Sequence, residues 1–324
     1  MNNILCQKLG IQYPLFCGAM YPCSNPELVA EASKVGALGV VQPLSLTYVH
    51  GYDFKKGLDK INQLSGNKPI GLNALIEASS QRYLQRMKKW VQISLDSGVK
   101  VFVTALGKPD WVVKLCESYG AFVFHDVTTL KWAKIAHDCG VHGLICVNDQ
   151  AGGHVGELSA QQLIKDVSSL NLMTLSAGGY SNQEDCSKVL EMGYDGIQMG
   201  TRFIASKECQ SSEDYKKAIV KALAKDIVHS HRITGVPVSV INTDYVQEVG
   251  TEASFVMRKM LGHNKLKHYA RLWYTLKSIW SLKKSSQAKQ GYKSYWQAGK
   301  SVQGIHQILT VEEIVHDLFK TDKS

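Results

Sequence analysis

A glycine-rich segment with one histidine is the part of this chain best suited to chemistry. Residues 148–156 read NDQAGGHVG, and His154 is the titratable side chain inside the glycine cluster. An imidazole has an unperturbed pKa near 6.5, so it can remove a proton when neutral or stabilise an anion when protonated. Taken alone, the pattern favours a packed histidine with a satisfied hydrogen bond over a catalytic one.

Two more glycine turns follow, each separated from the previous one by a strand and a helix. They are Ser176-Ala177-Gly178-Gly179 and Met199-Gly200-Thr201. Glycine allows backbone N–H groups to approach a ligand closely, and such turns suit a phosphate. Any single glycine here could be a plain turn or helix cap, but the ordered set predicts a cradle for a cofactor.

The elements that must position these turns are short apolar runs rich in β-branched residues, each followed by an amphipathic segment. This alternation is typical of parallel strands with crossover helices. Eight such units predict a (β/α)8 barrel, an α/β fold whose active site lies at the carboxyl ends of the strands, where every motif above falls. The predicted strands are residues 14–17, 38–41, 69–72, 99–104, 121–124, 143–147, 173–176 and 196–199.

The pattern changes after the eighth strand. Residues 214–225 and 253–282 are predicted helices, and no further strand is expected before a final helix at 311–319. We therefore predict a barrel over 1–210, a mostly helical insertion over 211–305 that covers the barrel mouth, and a C-terminal helix over 306–324 that returns to the barrel. Apolar residues at helical spacing between 272 and 280 fit core packing, a lid or a homodimer contact.

Composition limits the class of protein. The chain has 324 residues, of which 44% are hydrophobic and 20% charged, as in an ordinary globular protein. It has no export signal pattern and no run of about 18 apolar residues, so we expect a cytoplasmic protein without a membrane span. The eight cysteines form no C-x-x-C pair and no zinc-ligand cluster, so we expect reduced thiols and no metal site.

The net charge of +9 is concentrated in one segment. Residues 250–300 contain eleven Lys and Arg against one acid, Glu252. Such a segment could be a solvated face or could attract an anionic ligand. In a non-enzymatic alternative, the basic helix would dock the barrel on anionic lipid or nucleic acid, although we expect no nucleic-acid partner.

Nearly end to end, the chain resembles the FMN-dependent nitronate monooxygenases, formerly 2-nitropropane dioxygenases, and their NAD(P)H-dependent quinone and enoyl-thioester reductase relatives. The resemblance rests on an ordered set of motifs at the predicted strand ends. These are PLFCGAM at 14–20, GLN at 71–73, AGGHVG at 151–156, AGG at 177–179, MGTRFIA at 199–205, TGVP at 234–237 and WQAG at 296–299.

The resemblance implies FMN as cofactor and assigns residues to it. The backbone at Gly18, Ala19 and Met20 would line the isoalloxazine, Asn73 would bond its edge, and Ala151 and Gly152 would pack beside the ring and ribityl chain. Gly178, Gly179, Gly200 and Thr201 would bind the phosphate. With this resemblance, His154 becomes the predicted catalytic residue.

The implied reaction is oxidation of an alkyl nitronate, or a nitroalkane, by molecular oxygen to a carbonyl compound plus nitrite. A reductase that uses NAD(P)H is the first alternative. Asp126, which follows the predicted fifth strand, counts against it because some reductase relatives carry Lys there near the flavin. His125, His229 and His231 lie in predicted loops and are expected to be structural or exposed. A sugar-phosphate isomerase or aldolase fits the phosphate turns but lacks a lysine at strand ends six to eight.

Overall fold

Eight parallel strands close into a barrel in the computed structural model, which describes residues 3–77, 80–232, 237–252 and 295–320. Each strand pairs with the next along the chain, and the last pairs with the first, Leu15 opposite Ile197. The predicted (β/α)8 barrel is confirmed. Its strands are β1 (Leu15–Cys17), β2 (Leu38–Val41), β3 (Ile70–Ile76), β4 (Val101–Leu106), β5 (Phe122–Val127), β6 (Gly143–Val147), β8 (Met173–Ala177) and β9 (Gly196–Met199).

Apolar side chains fill the barrel interior. Phe16 and Phe124 meet edge to face with their ring centroids 5.4 Å apart, and both are fully buried. Strands buried on both faces read as continuous apolar runs, which is why their positions could be predicted from sequence. The interior cluster includes Phe16, Leu38, Val40, Val101, Val103, Phe124, Ile145, Leu175 and Ala177.

Helices surround the barrel and connect its strands. Many begin at a capping side chain: the oxygens of Asp53, Ser80 and Asn182 each accept a hydrogen bond from the first turn of their helix. The helices are α1 (Ile4–Leu9), α2 (Pro26–Lys34), α3 (Phe54–Ser65), α4 (Gln81–Asp96), α5 (Asp110–Glu117), α6 (Leu130–Asp138), α7 (Ala160–Val167), α8 (Gln183–Glu191), α9 (Thr201–Ile204), α10 (Glu213–Lys221), α11 (Asp244–Val249) and α12 (Val311–Leu318). Shorter turns are a π-helix at Ser45–Val49 and 3-10 segments at Ser168–Leu170, Ala224–Asp226 and Lys300–Gly304.

A small antiparallel sheet lies outside the barrel and corrects the sequence prediction. It consists of β10 (Ile227–Ser230), β11 (Val238–Ile241) and β7 (Gly153–His154), in the order β10-β11-β7. The expectation that no strand follows the eighth is therefore wrong over 227–241. These strands are only two to four residues long, and β7 pairs with a segment far along the chain, so local periodicity could not reveal them.

Residues 295–300, here called the C-terminal strap, tie the small sheet to the barrel. The N–H of Ala298 donates to the Ser239 carbonyl at 3.2 Å, and the N–H of Lys300 donates to the Gln150 carbonyl at 3.0 Å. Trp296 stacks on Tyr215 of α10 at 5.7 Å between ring centroids.

Other predictions about the second half have separate outcomes. The predicted helix at 214–225 is found as α10, which ends earlier, at Lys221, and is followed by the 3-10 segment Ala224–Asp226. The final helix is found as α12, which packs against α2 and α8. The predicted helix at 253–282 and its apolar stripe lie outside the described residues, so the proposed domain boundaries stay a prediction. Within the described ranges, no helix is long and apolar enough to cross a membrane.

Candidate functional site

Three polar side chains, here called the inner polar layer, lie on the inner face of the barrel near the carboxyl ends of its strands. They are Asn73 on β3, Asp126 on β5 and Gln198 on β9. Residues in register on neighbouring parallel strands share a face of the sheet, and the partner of each belongs to the apolar interior. The partners are Val103 for Asn73, Ile145 for Asp126, and Phe16 for Gln198.

The inner polar layer lacks protein partners. Oδ1 of Asp126 and Oε1 of Gln198 are both buried and accept no hydrogen bond. Asn73 is 8% exposed, and its amide makes no hydrogen bond to any described residue. Leaving a buried polar group unsatisfied costs about 1–3 kcal/mol. Oδ1 of Asp126 and Oε1 of Gln198 are two such atoms on one face of the barrel, and the Asn73 amide lies on the same face.

The strand β5 carries two titratable groups on opposite faces. Burial raises the pKa of the Asp126 carboxyl, on the inner face, to about 7. On the outer face, Nδ1 of His125 lies 2.8 Å from the Thr104 hydroxyl, and desolvation lowers the pKa of this imidazole to about 4. The sequence prediction put both residues beyond the strand, which was wrong: their polarity suggested a turn, but β5 continues to Val127.

The first predicted cofactor residues meet where the barrel closes. The N–H of Gly18 donates to the Met199 carbonyl at 2.9 Å, and a Cβ atom on Gly18 would lie 3.0 Å from the Gln198 side chain. A Cβ atom on Gly200 would lie 3.4 Å from Sδ of Met20. The turn that contains Ala19 therefore lies beside the turn that begins α9.

The remaining predicted glycines pack the loops at the mouth tightly against one another. Gly178 has φ +122°, and a Cβ atom there would lie 2.3 Å from Oδ1 of Asn148 and 2.6 Å from the N atom of Ala151. Gly179 also has a positive φ, +93°. A Cβ atom on Gly152 would lie 2.7 Å from the N atom of Gly299. Close approach between chain segments therefore accounts for these glycines directly.

Thr201 connects this cluster to the C-terminal strap. Its hydroxyl oxygen accepts from the Gly299 N–H at 3.0 Å, which leaves the hydroxyl hydrogen available to a ligand. The N–H groups of Gly179, Gly200 and Thr201 donate to no group among the described residues. Free N–H groups from two neighbouring turns can bind an anion.

His154 lies on β7 rather than in a loop, and β11 holds it there through pairing with Val238. Its side chain is exposed and makes no hydrogen bond to a described residue. Surrounding protein nevertheless desolvates the ring and lowers its pKa. His229 was also predicted in a loop but lies on β10, where it is exposed, while His231 follows that strand.

Some features of the site were missed at the sequence level. Gln198 was not a predicted site residue, although a polar side chain in the apolar run Gly196–Met199 was an available signal. Ser176 lies inside β8 rather than in a phosphate turn, and its hydroxyl oxygen is 2.5 Å from that of Tyr180. Cys17 and Cys146 are buried strand residues, and all eight cysteines are free. The described residues contain no cluster of three or more potential metal ligands.

One family model matches almost the whole chain. The model of a family described as nitronate monooxygenase matches residues 2–321. A (3aS,4S,5R,7aS)-5-hydroxy-7a-methyl-1-oxo-octahydro-1H-indene-4-carboxyl-CoA dehydrogenase of Rhodococcus jostii is 26% identical over 293 residues, which cover 88% of this chain and 80% of the relative. A probable nitronate monooxygenase of Staphylococcus aureus strain Newman is 24% identical and covers 76% of this chain and 80% of the relative.

Solved structures share the fold. FabK from Thermotoga maritima superposes with a TM-score of 0.79 at 24% identity, covering 98% of this chain and 95% of its own. A nitroalkane oxidase from Streptomyces ansochromogenes gives a TM-score of 0.76 at 18% identity, covering 97% and 96%. At these identities the likeness concerns the fold alone.

Proposed function

Because the chain belongs to the nitronate monooxygenase family and is therefore an oxidoreductase, we propose that it binds FMN at the barrel mouth and oxidises alkyl nitronates with molecular oxygen. The products are a carbonyl compound and nitrite. The observation that carries the proposal is the inner polar layer. A planar heterocycle with polar edges would form hydrogen bonds with Asn73, Asp126 and Gln198 at the same time. An apolar ligand would leave these three side chains without partners.

The other predicted contacts suit the same molecule. The backbone of Gly18, Ala19 and Met20 would line the ring, and the loop at Ala151 and Gly152 would flank it. The phosphate would take the free N–H groups of the Gly178-Gly179 and Gly200-Thr201 turns, together with the Thr201 hydroxyl.

His154 acts on the substrate in this proposal. When bound, FMN supplies electron transfer and reaction with oxygen, which no side chain performs. Because desolvation lowers its pKa below the usual value, the His154 imidazole is neutral near pH 7. A neutral imidazole removes the α-proton of a nitroalkane through its unprotonated nitrogen, or donates its N–H to a nitro oxygen of a nitronate. Its exposed position on β7 leaves the ring open to a small substrate.

Two observations support a second candidate function. A relative that covers most of this chain is named as a carboxyl-CoA dehydrogenase. Residues 250–300 carry eleven Lys and Arg against one acid, and such a segment favours the phosphate groups of a CoA thioester. The alternative is therefore an FMN-dependent oxidoreductase that acts on an acyl thioester or on a quinone with NAD(P)H.

The visible spectrum separates the two functions. Purified protein is loaded with FMN and mixed, without oxygen, with propyl-2-nitronate in one cuvette and with NADH or NADPH in another. Loss of the oxidised flavin absorbance with nitronate alone, together with nitrite formation in air, supports the monooxygenase. Rapid bleaching by the nucleotide alone supports the reductase. Protein that takes up no FMN contradicts both.

A further inference from the structure

Asp126 is the acidic member of the inner polar layer. Its inward direction follows from its register with Ile145, and its Oδ1 atom is buried without a hydrogen-bond donor. Burial is the cause of its raised pKa, and no cation among the described residues pairs with it. Asp126 as a whole is half-buried, so a carboxylate in this position would be a partly desolvated charge without a partner, which favours protonation.

The charged side chains on the helices packed against β5, such as Lys114 of α5 and Lys134 of α6, are exposed outside the barrel and do not face Asp126. Cys146 on β6 and Cys116 on α5, both packed against β5, have thiol pKa values raised by burial to about 12, so neither ionises below pH 9. His125 is neutral above about pH 5, because its pKa is lowered to about 4. Asn73 and Gln198 do not titrate. The environment of Asp126 therefore favours the uncharged acid.

We propose that Asp126 meets the ring of the bound cofactor as a neutral carboxylic acid and donates a hydrogen bond to an acceptor at its edge. This inference rests on the proposed FMN site and adds to it a specific protonation state. Asn73 and Gln198 carry amides that both donate and accept, so they adapt to either edge of the ring. Asp126 is different, because it can donate only while protonated.

A dependence of affinity on pH follows. If only the protonated acid accepts the cofactor, binding above the pKa of the free site must take up a proton. Affinity then falls by up to tenfold for each pH unit above that pKa. With a pKa of about 7, the dissociation constant should rise about 50-fold between pH 7 and pH 9.

FMN titrations by fluorescence quenching at pH 7, 8 and 9 test the inference on the full chain. Wild type should show the 50-fold loss. Asp126→Asn keeps an uncharged N–H donor at the same position, so its dissociation constant should change less than threefold over this range. Asp149→Asn, an acid just beyond the neighbouring strand β6, is the matched control and should follow wild type.

A wild-type curve that is flat over this range overturns the inference without any variant, as do parallel curves for wild type and Asp126→Asn. Circular dichroism checks that Asp126→Asn is folded. If the proposed function is wrong, the result is different: wild type binds FMN at none of the three pH values.

Discussion

Two histidines of this chain occupy opposite environments. His125 is 5% exposed on the outer face of β5 and bonded to Thr104, whereas His154 is exposed on β7 without a protein partner. The sequence could flag His154 only through its glycine-rich surroundings and the family resemblance. It could not show that His125 and Asp126 belong to the strand, because polar residues at a strand end look like a turn.

Replacing His154 with Asn should reduce turnover of a neutral nitroalkane by about 10²- to 10⁴-fold, because the base that removes the α-proton is lost. A preformed nitronate needs no such step, so its turnover should fall less. Nitrite release measures both rates. His229→Asn is the control, since His229 lies in the same small sheet and is exposed. Equal rates for His154→Asn and wild type with both substrates would exclude the assignment.

The neighbours on β5 should affect stability with opposite signs of pH dependence. The folded pKa of His125 is lowered, so the unfolded chain binds the proton more tightly and stability falls as the pH drops below 6.5. As the pH falls from 7 to 4, the free energy of unfolding of His125→Asn should rise by about 3 kcal/mol relative to that of wild type.

The folded pKa of Asp126 is raised, so the stability of wild type falls as the pH rises from about 4 to 7. Over that interval the free energy of unfolding of Asp126→Asn should rise relative to that of wild type. Urea unfolding of the protein without cofactor measures both trends; equal slopes for the two variants would contradict this explanation.

At the scale of elements, the eight barrel strands could be predicted because each is a local apolar run. The small sheet could not, since its strands are short and β7 depends on pairing with β11, which lies far along the chain. That pairing fixes the backbone of His154, so the candidate catalytic side chain is positioned by a segment that sequence periodicity misses. The sequence indicated the C-terminal strap only through the motif at 296–299. Its contacts to Gln150 and Thr201 are seen only in the structure.

The contact between Thr201 and the C-terminal strap gives a test at this scale. Thr201→Val keeps the shape of the side chain but leaves the buried Gly299 N–H without its acceptor, so the free energy of unfolding should fall by about 1–3 kcal/mol. Thr201→Ser retains the hydroxyl and should lose less. Urea unfolding of both variants makes the comparison, and a larger loss in Thr201→Ser than in Thr201→Val would show that the methyl group, not the hydrogen bond, holds the strap.

At the scale of the whole molecule, barrel closure brings the first strand beside the last and so assembles the site from distant parts of the sequence. Strand order and the positions of the glycine turns were predictable. The direction of the side chains at the barrel mouth was not predictable. Successive side chains of a strand alternate between the inner and outer face, so a register shift of one residue would direct Asp126 and Gln198 outward.

The packing of Phe16 against Phe124 should contribute much of the stability of the closed barrel. Phe16→Ala removes a fully buried ring that packs against Phe124, and we expect the free energy of unfolding to fall by about 3–5 kcal/mol. Leu64→Ala, on the exposed side of α3, serves as control and should cost less than about 0.5 kcal/mol. Thermal and urea unfolding provide the measurements. Equal losses in both variants would mean that the interior pair does not stabilise the closed barrel.

The C-terminal strap also sets an order of events during synthesis. The ribosome delivers Gly18 early and all eight barrel strands before Gly299, yet Gly299 bonds Thr201 and packs on Gly152. The final helix α12 also follows the strap and packs against α2 and α8, so the outer helices and the barrel mouth are both completed after the eighth strand. On the proposed function, we expect flavin capture to wait until the strap is in place, so chains stalled before residue 295 should bind no FMN.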